Sequence, residues 1–290
     1  MDARPQACDG EQCPDAAHGS AVAIRYCAVT KRYRGRSVLR DVSFTVPARS
    51  STAIVGLNGV GKSTLLRCLL DFTRPDEGTI HVDGRDHGDI AARASLAWLP
   101  ERFAPPAHLT ARESLCWLAG LRGSRIDPVR LNSCAEAVGL AVSALDRRVG
   151  ELSKGMTQKL GLISIDMSDR PIWVLDEPMS GLDPQARRAV ARVLGAARDA
   201  GRTVLWTSHD LRDLPELCDR IVVLAAGAVA FEGTPAQMAA GYAGAGDCRA
   251  RHADLPAPDF EEAFLSCVGR HATLVQTVST GQFNAEAAAA

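Results

Sequence analysis

Short apolar runs, punctuated by turn residues and alternating with longer helical stretches, organise this chain. From Val22 the pattern is strand-like. AIRYCAVTKRY and SVLRDVSFTV read as β-rich segments, broken near Arg34-Gly35-Arg36 and at Pro47. STAIVG is a short apolar strand that leads directly into a glycine-rich turn and the apolar helix pattern STLLRCLLDF. TIHVDG predicts a further strand and turn. Residues 105–150 are helical in character. Thr110 and Glu113 match a capping box ahead of SLCWLAGL, and a second helix is expected through VRLNSCAEAVGL. PIWVLDE and RTVLWTSHD are strands of the buried type, separated by the helical stretch PQARRAVARVLGAARDAG. Strands alternating with helices predict a parallel sheet with right-handed crossovers. Residues 1–20 have no periodicity and few large apolar residues, and read as a disordered leader. The tail from about Thr234 is weakly patterned, with one amphipathic piece at PDFEEAFLSCVG.

Composition narrows the class. The chain has 290 residues, 46% hydrophobic and 23% charged, with a formal net charge of -1, which is a globular composition. No run approaches the roughly 18–20 apolar residues that span a bilayer. The start, MDARPQACDGEQCPD, lacks the apolar segment of a secretory signal. The sequence therefore reads as neither an integral membrane protein nor an exported one. Residues 1–20 and 234–290 each carry -3, leaving +5 on residues 21–233. That balance suits an anionic ligand, although solvated surface arginine gives the same figure. It is too small for a free-standing nucleic-acid binder, so no nucleic-acid partner is expected. Nine cysteines include no C-x-x-C pair and no zinc-ligand spacing; most are read as reduced, small hydrophobes.

Three segments carry chemistry. Residues 56–63, GLNGVGKS, fit G-x-x-x-x-G-K-[ST] between an apolar strand and a helix. Gly56, Gly59 and Gly61 allow the backbone amides to turn inward around phosphate oxygens, with Leu57, Asn58 and Val60 between them and Thr64 in the first helical turn. Lys62, one of only four lysines, is placed to reach the β- and γ-phosphates, and the Ser63 hydroxyl to bind Mg²⁺. In the stretch from Pro171 to Glu177, a buried-type strand runs into Asp176 and Glu177 at the carboxyl edge of the expected sheet. Asp176 suits Mg²⁺ and Glu177 suits polarisation of an attacking water; the lesser alternative, for the motif alone, is a pair of acids capping the next helix. TVLWTS ends at His209, a candidate γ-phosphate contact, although a lone histidine is more often structural.

Taken in order, GLNGVGKS, LSKGMTQKL, IWVLDEP, SGLD and SH resemble the ATP-binding subunits of ABC transporters over about residues 22–233. The resemblance implies a P-loop NTPase (RecA-like) α/β core, an antiparallel β subdomain and an inserted α-helical subdomain at about 102–150. The implied organisation is a leader over 1–20, an ATP-binding domain over 21–233 and an extension over 234–290. It implies ATP and Mg²⁺ as ligands, with Lys62, Glu177 and His209 catalytic. LSKGM matches the family signature usually written LSGGQ: Ser153 and Gly155 are retained, while Lys154 and Met156 replace Gly and Gln. In the family this segment contacts the γ-phosphate held by the opposite subunit. A head-to-tail dimer with itself or a paralogous subunit is therefore implied. Tyr33 stands at the place of the aromatic that stacks on adenine, and Asp183 in the loop that links the two sites.

One departure is WLPERF, where Glu101 stands in place of the usual Gln. A carboxylate there would approach Mg²⁺ more strongly than an amide. The Leu-Pro-Glu form resembles the branch that partners ABC-2-type permeases. A multi-span membrane permease, export, and a cytoplasmic position on the inner face of the membrane are then implied. Residues 102–121, with Trp117 and Leu118, are the expected docking region. The alternatives are a soluble ABC-type ATPase of the iron–sulfur assembly, repair or ribosome-associated kind, a nucleotide-sensing scaffold without turnover, and a GTPase switch.

Overall fold

The computed structural model describes residues 21–242 and 260–271, so the leader over 1–20 and much of the tail lie outside the described residues. In chain order the first half comprises β1 (Val22–Tyr33), β2 (Arg36–Pro47), β3 (Ser51–Val55), α1 (Lys62–Leu69), β4 (Glu77–Val82), β5 (Arg85–Asp86), α2 (Ile90–Ala94) and β6 (Leu96–Leu99). Helices α3 (Ala111–Leu121), α4 (Pro128–Ala137) and α5 (Lys154–Asp166) follow. The chain then returns to the sheet through β7 (Ile172–Leu175), α6 (Pro184–Asp199), β8 (Thr203–Ser208), α7 (Leu214–Leu217), β9 (Arg220–Ala225) and β10 (Ala228–Gly233). Helix α8 (Pro235–Tyr242) and a helix over 260–271, α9, complete the described chain.

One sheet is antiparallel, in the order β2-β1-β4-β5. The other has the order β10-β9-β3-β8-β7-β6, parallel throughout except for β10. The antiparallel segment, the α/β core and the intervening helices match the expected fold. Alternate residues of the parallel strands enter two different cores, because successive side chains of a strand point to opposite faces. Ala53, Val55, Trp173, Leu175, Val204 and Trp206 pack with α3–α6 on one face. Ile54, Ile172, Val174 and Leu205 pack with α1 and the antiparallel sheet on the other. Burial on both faces is why these strands read as continuous apolar runs.

Two elements stand outside the expectations above. The β9–β10 hairpin closes one edge of the sheet, and β6 closes the other. The amphipathic piece of the tail is α9, which buries Ala263, Phe264 and Cys267 in the same core as Leu214 and Met238. Cys68, Cys116, Cys134 and Cys218 are free thiols, whereas Cys27 is disulfide-bonded. No helix among the described residues is long and apolar enough to cross a membrane.

Candidate active site

The carboxyl ends of β3, β8, β7 and β6 lie side by side in the sheet. Segments leaving those ends therefore converge: the 56–63 loop from β3, His209 from β8, Asp176 and Glu177 from β7, and Glu101 from β6. In open parallel sheets this edge, near a change in strand order, is where ligands sit.

The loop is shaped by its glycines. At Gly56 a Cβ would stand 2.6 Å from the Leu224 carbonyl oxygen, so only glycine lets the loop leave β3 against β9. Gly61 precedes α1 at φ 114°, and a Cβ there would lie 2.8 Å from Leu39 Cδ2. Lys62 opens α1 and is almost fully buried; its Nζ donates to the Gly56 carbonyl at 2.8 Å. The same Nζ lies 3.3 Å from Glu177 Oε1.

The carboxylates are held as firmly. Asp176 Oδ1 accepts from the Ser63 hydroxyl at 3.2 Å and from the Thr207 hydroxyl at 2.6 Å. Thr207 Oγ1 in turn accepts the Glu177 backbone N–H at 2.8 Å. Glu177 has a left-handed backbone, φ 48°, and its Oε2 meets His209 Nδ1 at 2.8 Å. Lys62, Glu177 and His209 thus form one polar chain, with Glu177 bridging through its two oxygens.

A cavity of about 530 Å³ opens over this chain, lined by Asn58, Gly59, Gly61, Lys62, Ser63, Thr64, Glu101, Glu177 and His209, with Val38 and Ser180. Asp176 lies just beneath it, in contact with Ser63. Leu57 is exposed, and Val60 packs against the core beside Gly56.

The remaining sequence candidates stand apart. Tyr33 ends β1, 43% exposed, with Lys31 Nζ 5.5 Å from its ring centroid, and it is not part of the cavity wall. Ser153 is the N-cap of α5, accepting from the Met156 N–H at 3.2 Å. With Lys154, Gly155 and Met156 it forms a helix start that does not line the cavity. Asp183 is the N-cap of α6, accepting from the Ala186 N–H at 2.8 Å. Thr207 and Ser180 escaped sequence reasoning. The signal for Thr207 was a hydroxyl two residues before His209, directly after the apolar centre VLW of its strand.

A phosphate-shaped loop, a lysine aimed into it, and a carboxylate pair on the next strand but one define a P-loop nucleotide-binding ATPase core. Residues 39–180 match the family model described as "ABC transporter". The chain is 37% identical over 221 residues to the Nod factor export ATP-binding protein I of Rhizobium sp. (strain N33), covering 74% of this chain and 72% of that protein. It is likewise 37% identical to the protein of the same name from Mesorhizobium japonicum, over 77% of this chain and 66% of that one. A solved structure of an ATP-binding subunit of an ABC transporter superposes with a TM-score of 0.72 at 25% identity, covering 84% of this chain and 99% of that one. A bacterial Atm1-family ABC exporter with ATP bound gives 0.66 at 26% identity, over 78% and 41%. The chain belongs to the ABC transporter family, as an ATP-binding subunit.

Proposed function

We propose that this chain hydrolyses ATP as one half of a head-to-tail dimer and drives a separate ABC-2-type permease in the export direction. The observation that carries the reading is the polar chain Lys62–Glu177–His209 at the wall of a cavity large enough for a nucleotide. The loop amides and the start of α1 offer positive partial charge to the phosphates. Lys62 balances the β- and γ-phosphate charge. Glu177 takes a proton from the attacking water, and His209 holds both Glu177 and the γ-phosphate in place.

The oxygen donors fit Mg²⁺. Ser63 and Asp176 present hard oxygens side by side, and Glu101 adds a carboxylate at the rim. Among the described residues no group of three His, Cys, Asp or Glu could hold a metal by itself. Mg²⁺ takes one or two carboxylates and completes its shell largely with phosphate and water. Ser63 and Asp176, with Glu101, would hold Mg²⁺, which supplies charge neutralisation at the phosphates when bound.

The place of Ser153 and Gly155 at a helix start outside the wall of their own cavity supports action on a second subunit's nucleotide. Tyr33, on the exposed end of β1, is the adenine-stacking candidate. The domain reading keeps 21–233 as the ATP-binding unit, with 234–290 as an extension. Similarity to export ATP-binding proteins supports the export direction and a place on the inner face of a membrane. The docking face proposed for the permease is on α3, where Trp117 and Leu121 are 48% and 67% exposed; Leu118 is half-buried.

The test uses the Glu177→Gln variant. Its ATP turnover should fall by about 10²–10⁴-fold, the usual contribution of a general base, with ATP binding retained. Tagged and incubated with ATP in detergent-solubilised native membranes, it should recover one multi-span membrane protein. Recovery of soluble partners alone, from a variant shown to bind ATP, would overturn the transporter reading in favour of a soluble ATPase.

A further inference from the structure

Behind His209 lies a second cavity of about 270 Å³, whose wall includes Ser180, Arg187, Ser208, His209 and Asp210. The His209 side chain is 43% exposed, and its one side-chain hydrogen bond described is to Glu177 Oε2, at 2.8 Å. Its position is therefore set largely by the loop that carries it. That loop is held on the far side of His209. The Ser208 hydroxyl donates to the Asp210 carbonyl at 2.8 Å and accepts the Asp210 N–H at 2.9 Å. Asp210 Oδ2 accepts from Arg187 Nη1 at 2.7 Å, with Arg187 18% and Asp210 22% exposed. Arg187 Nε and Nη2 both donate to Asp213 Oδ2, three residues further on. Arg212 closes the cluster on the solvent side, donating to Asp210 from its side chain and its backbone N–H. Its side-chain hydrogen bonds, opposed by partial burial and reinforced by Arg187, hold the Asp210 carboxyl well below the usual carboxylate range.

Arg187 also belongs to the other half of the site. Its backbone N–H donates to the Asp183 carbonyl at 2.9 Å, so it sits in the first turn of α6. The short segment 177–183 joins that turn to Glu177. One planar guanidinium, with its donors in a fixed fork, thus spans the segment bearing Glu177 and the loop bearing His209.

We infer that Arg187 is a positioning residue for ATP hydrolysis, fixing His209 against Glu177 through Asp210 and Asp213. This rests on the ATPase reading above and adds a residue to it. Arg187 does not line the nucleotide cavity. Its loss acts on turnover and leaves nucleotide affinity alone.

The experiment is a double-mutant cycle on the full chain, following release of phosphate from labelled ATP. Arg187→Ala should lower kcat by about ten-fold, within the range that misplacement of a catalytic group costs, with KM for ATP within about two-fold. In a His209→Ala background the same substitution should cost nothing more, because the group it positions is gone. If thermal melting shows Arg187→Ala unfolded, Arg187→Lys replaces it in the cycle. Lysine keeps the charge but cannot span both aspartates, so kcat should still fall with KM unchanged.

Losses that multiply in the double variant, a KM rise that accounts for the effect, or an unchanged kcat in a folded variant would overturn the inference. So would unfolding of both substitutions, which would make Arg187 a residue of the fold alone. A wild-type chain with no ATP turnover would instead overturn the ATPase reading. Wild-type turnover beside an unaffected Arg187→Ala overturns only the positioning role of Arg187.

Discussion

Glu177 has a backbone conformation that non-glycine residues rarely adopt, at a typical cost of about 1–3 kcal/mol. Its N–H is fixed on the Thr207 hydroxyl and its two carboxylate oxygens on Lys62 and His209, contacts that offset the strain. Thr207 serves two neighbours at once, accepting from Glu177 and donating to Asp176, so a single hydroxyl sets the relative placement of both carboxylates. Glu101 is different: it is exposed at the cavity rim, beyond the end of β6. An exposed carboxylate near Ser63 and Asp176 suits a hard cation better than an amide at the same place. Glu101→Gln should therefore raise the Mg²⁺ concentration needed for half-maximal ATP hydrolysis by several-fold. A Mg²⁺ titration of the two proteins reads this directly, and superimposable curves would remove Glu101 from the metal site.

At the scale of elements, the legible parts of the chain were those whose local signal and tertiary role agree. The apolar runs STAIV, IWVL and TVLWTS are strands because both faces of the sheet are covered. The capping box at Thr110 and Glu113 forms as the sequence implied, with both reciprocal hydrogen bonds present. The β9–β10 hairpin was hidden because its two-residue turn is Ala226-Gly227, at φ 50° and 81°. Such turns usually advertise themselves with Asn or Asp at the first position. β6, no shorter than β7, was hidden because LAWL holds two leucines and an alanine, which favour helix, where IWVL holds two β-branched residues. Arg187, Asp210 and Asp213 carry no local signal at all, since only the packing of α6 beside β8 brings them together. Asp183 shows the two levels superposed: it resembles a dimer-loop residue and is also the N-cap of α6. Substitution separates the roles. Asp183→Ala should cost about 1 kcal/mol of stability, or roughly 2–4 °C in Tm, while Asp183→Asn keeps the cap. If the dimer role holds, both variants lose ATPase activity; if Asp183 only caps the helix, the Asn variant keeps it.

In the whole molecule the nucleotide cavity is walled by the phosphate loop, and none of the signature residues 153–156 lines it. The loop, Glu177 and His209 wall one cavity, whereas Ser153 and Gly155 begin α5 outside that wall. A helix start with a hydroxyl on it is a good anion site, and on the reading proposed above the anion it suits is held by the other subunit. Two copies arranged head to tail would bring each α5 start onto the nucleotide of the other, so that ATP becomes the adhesive between them. Dimerisation should then depend on ATP being bound and unhydrolysed. The Glu177→Gln variant, 30.8 kDa as a monomer, should run at twice that mass by light scattering with ATP and Mg²⁺, and as a monomer with ADP. The paired control acts on the start of α5. The space around Gly155 is open, its nearest neighbour to an added Cβ being Leu182 at 3.7 Å, so an aspartate there need not disturb the fold. Its negative charge would oppose the γ-phosphate of the other subunit. Glu177→Gln with Gly155→Asp should therefore bind ATP through its own loop and remain monomeric. A dimer that survives this change, or forms equally well with ADP, would mean that α5 is not what meets the nucleotide.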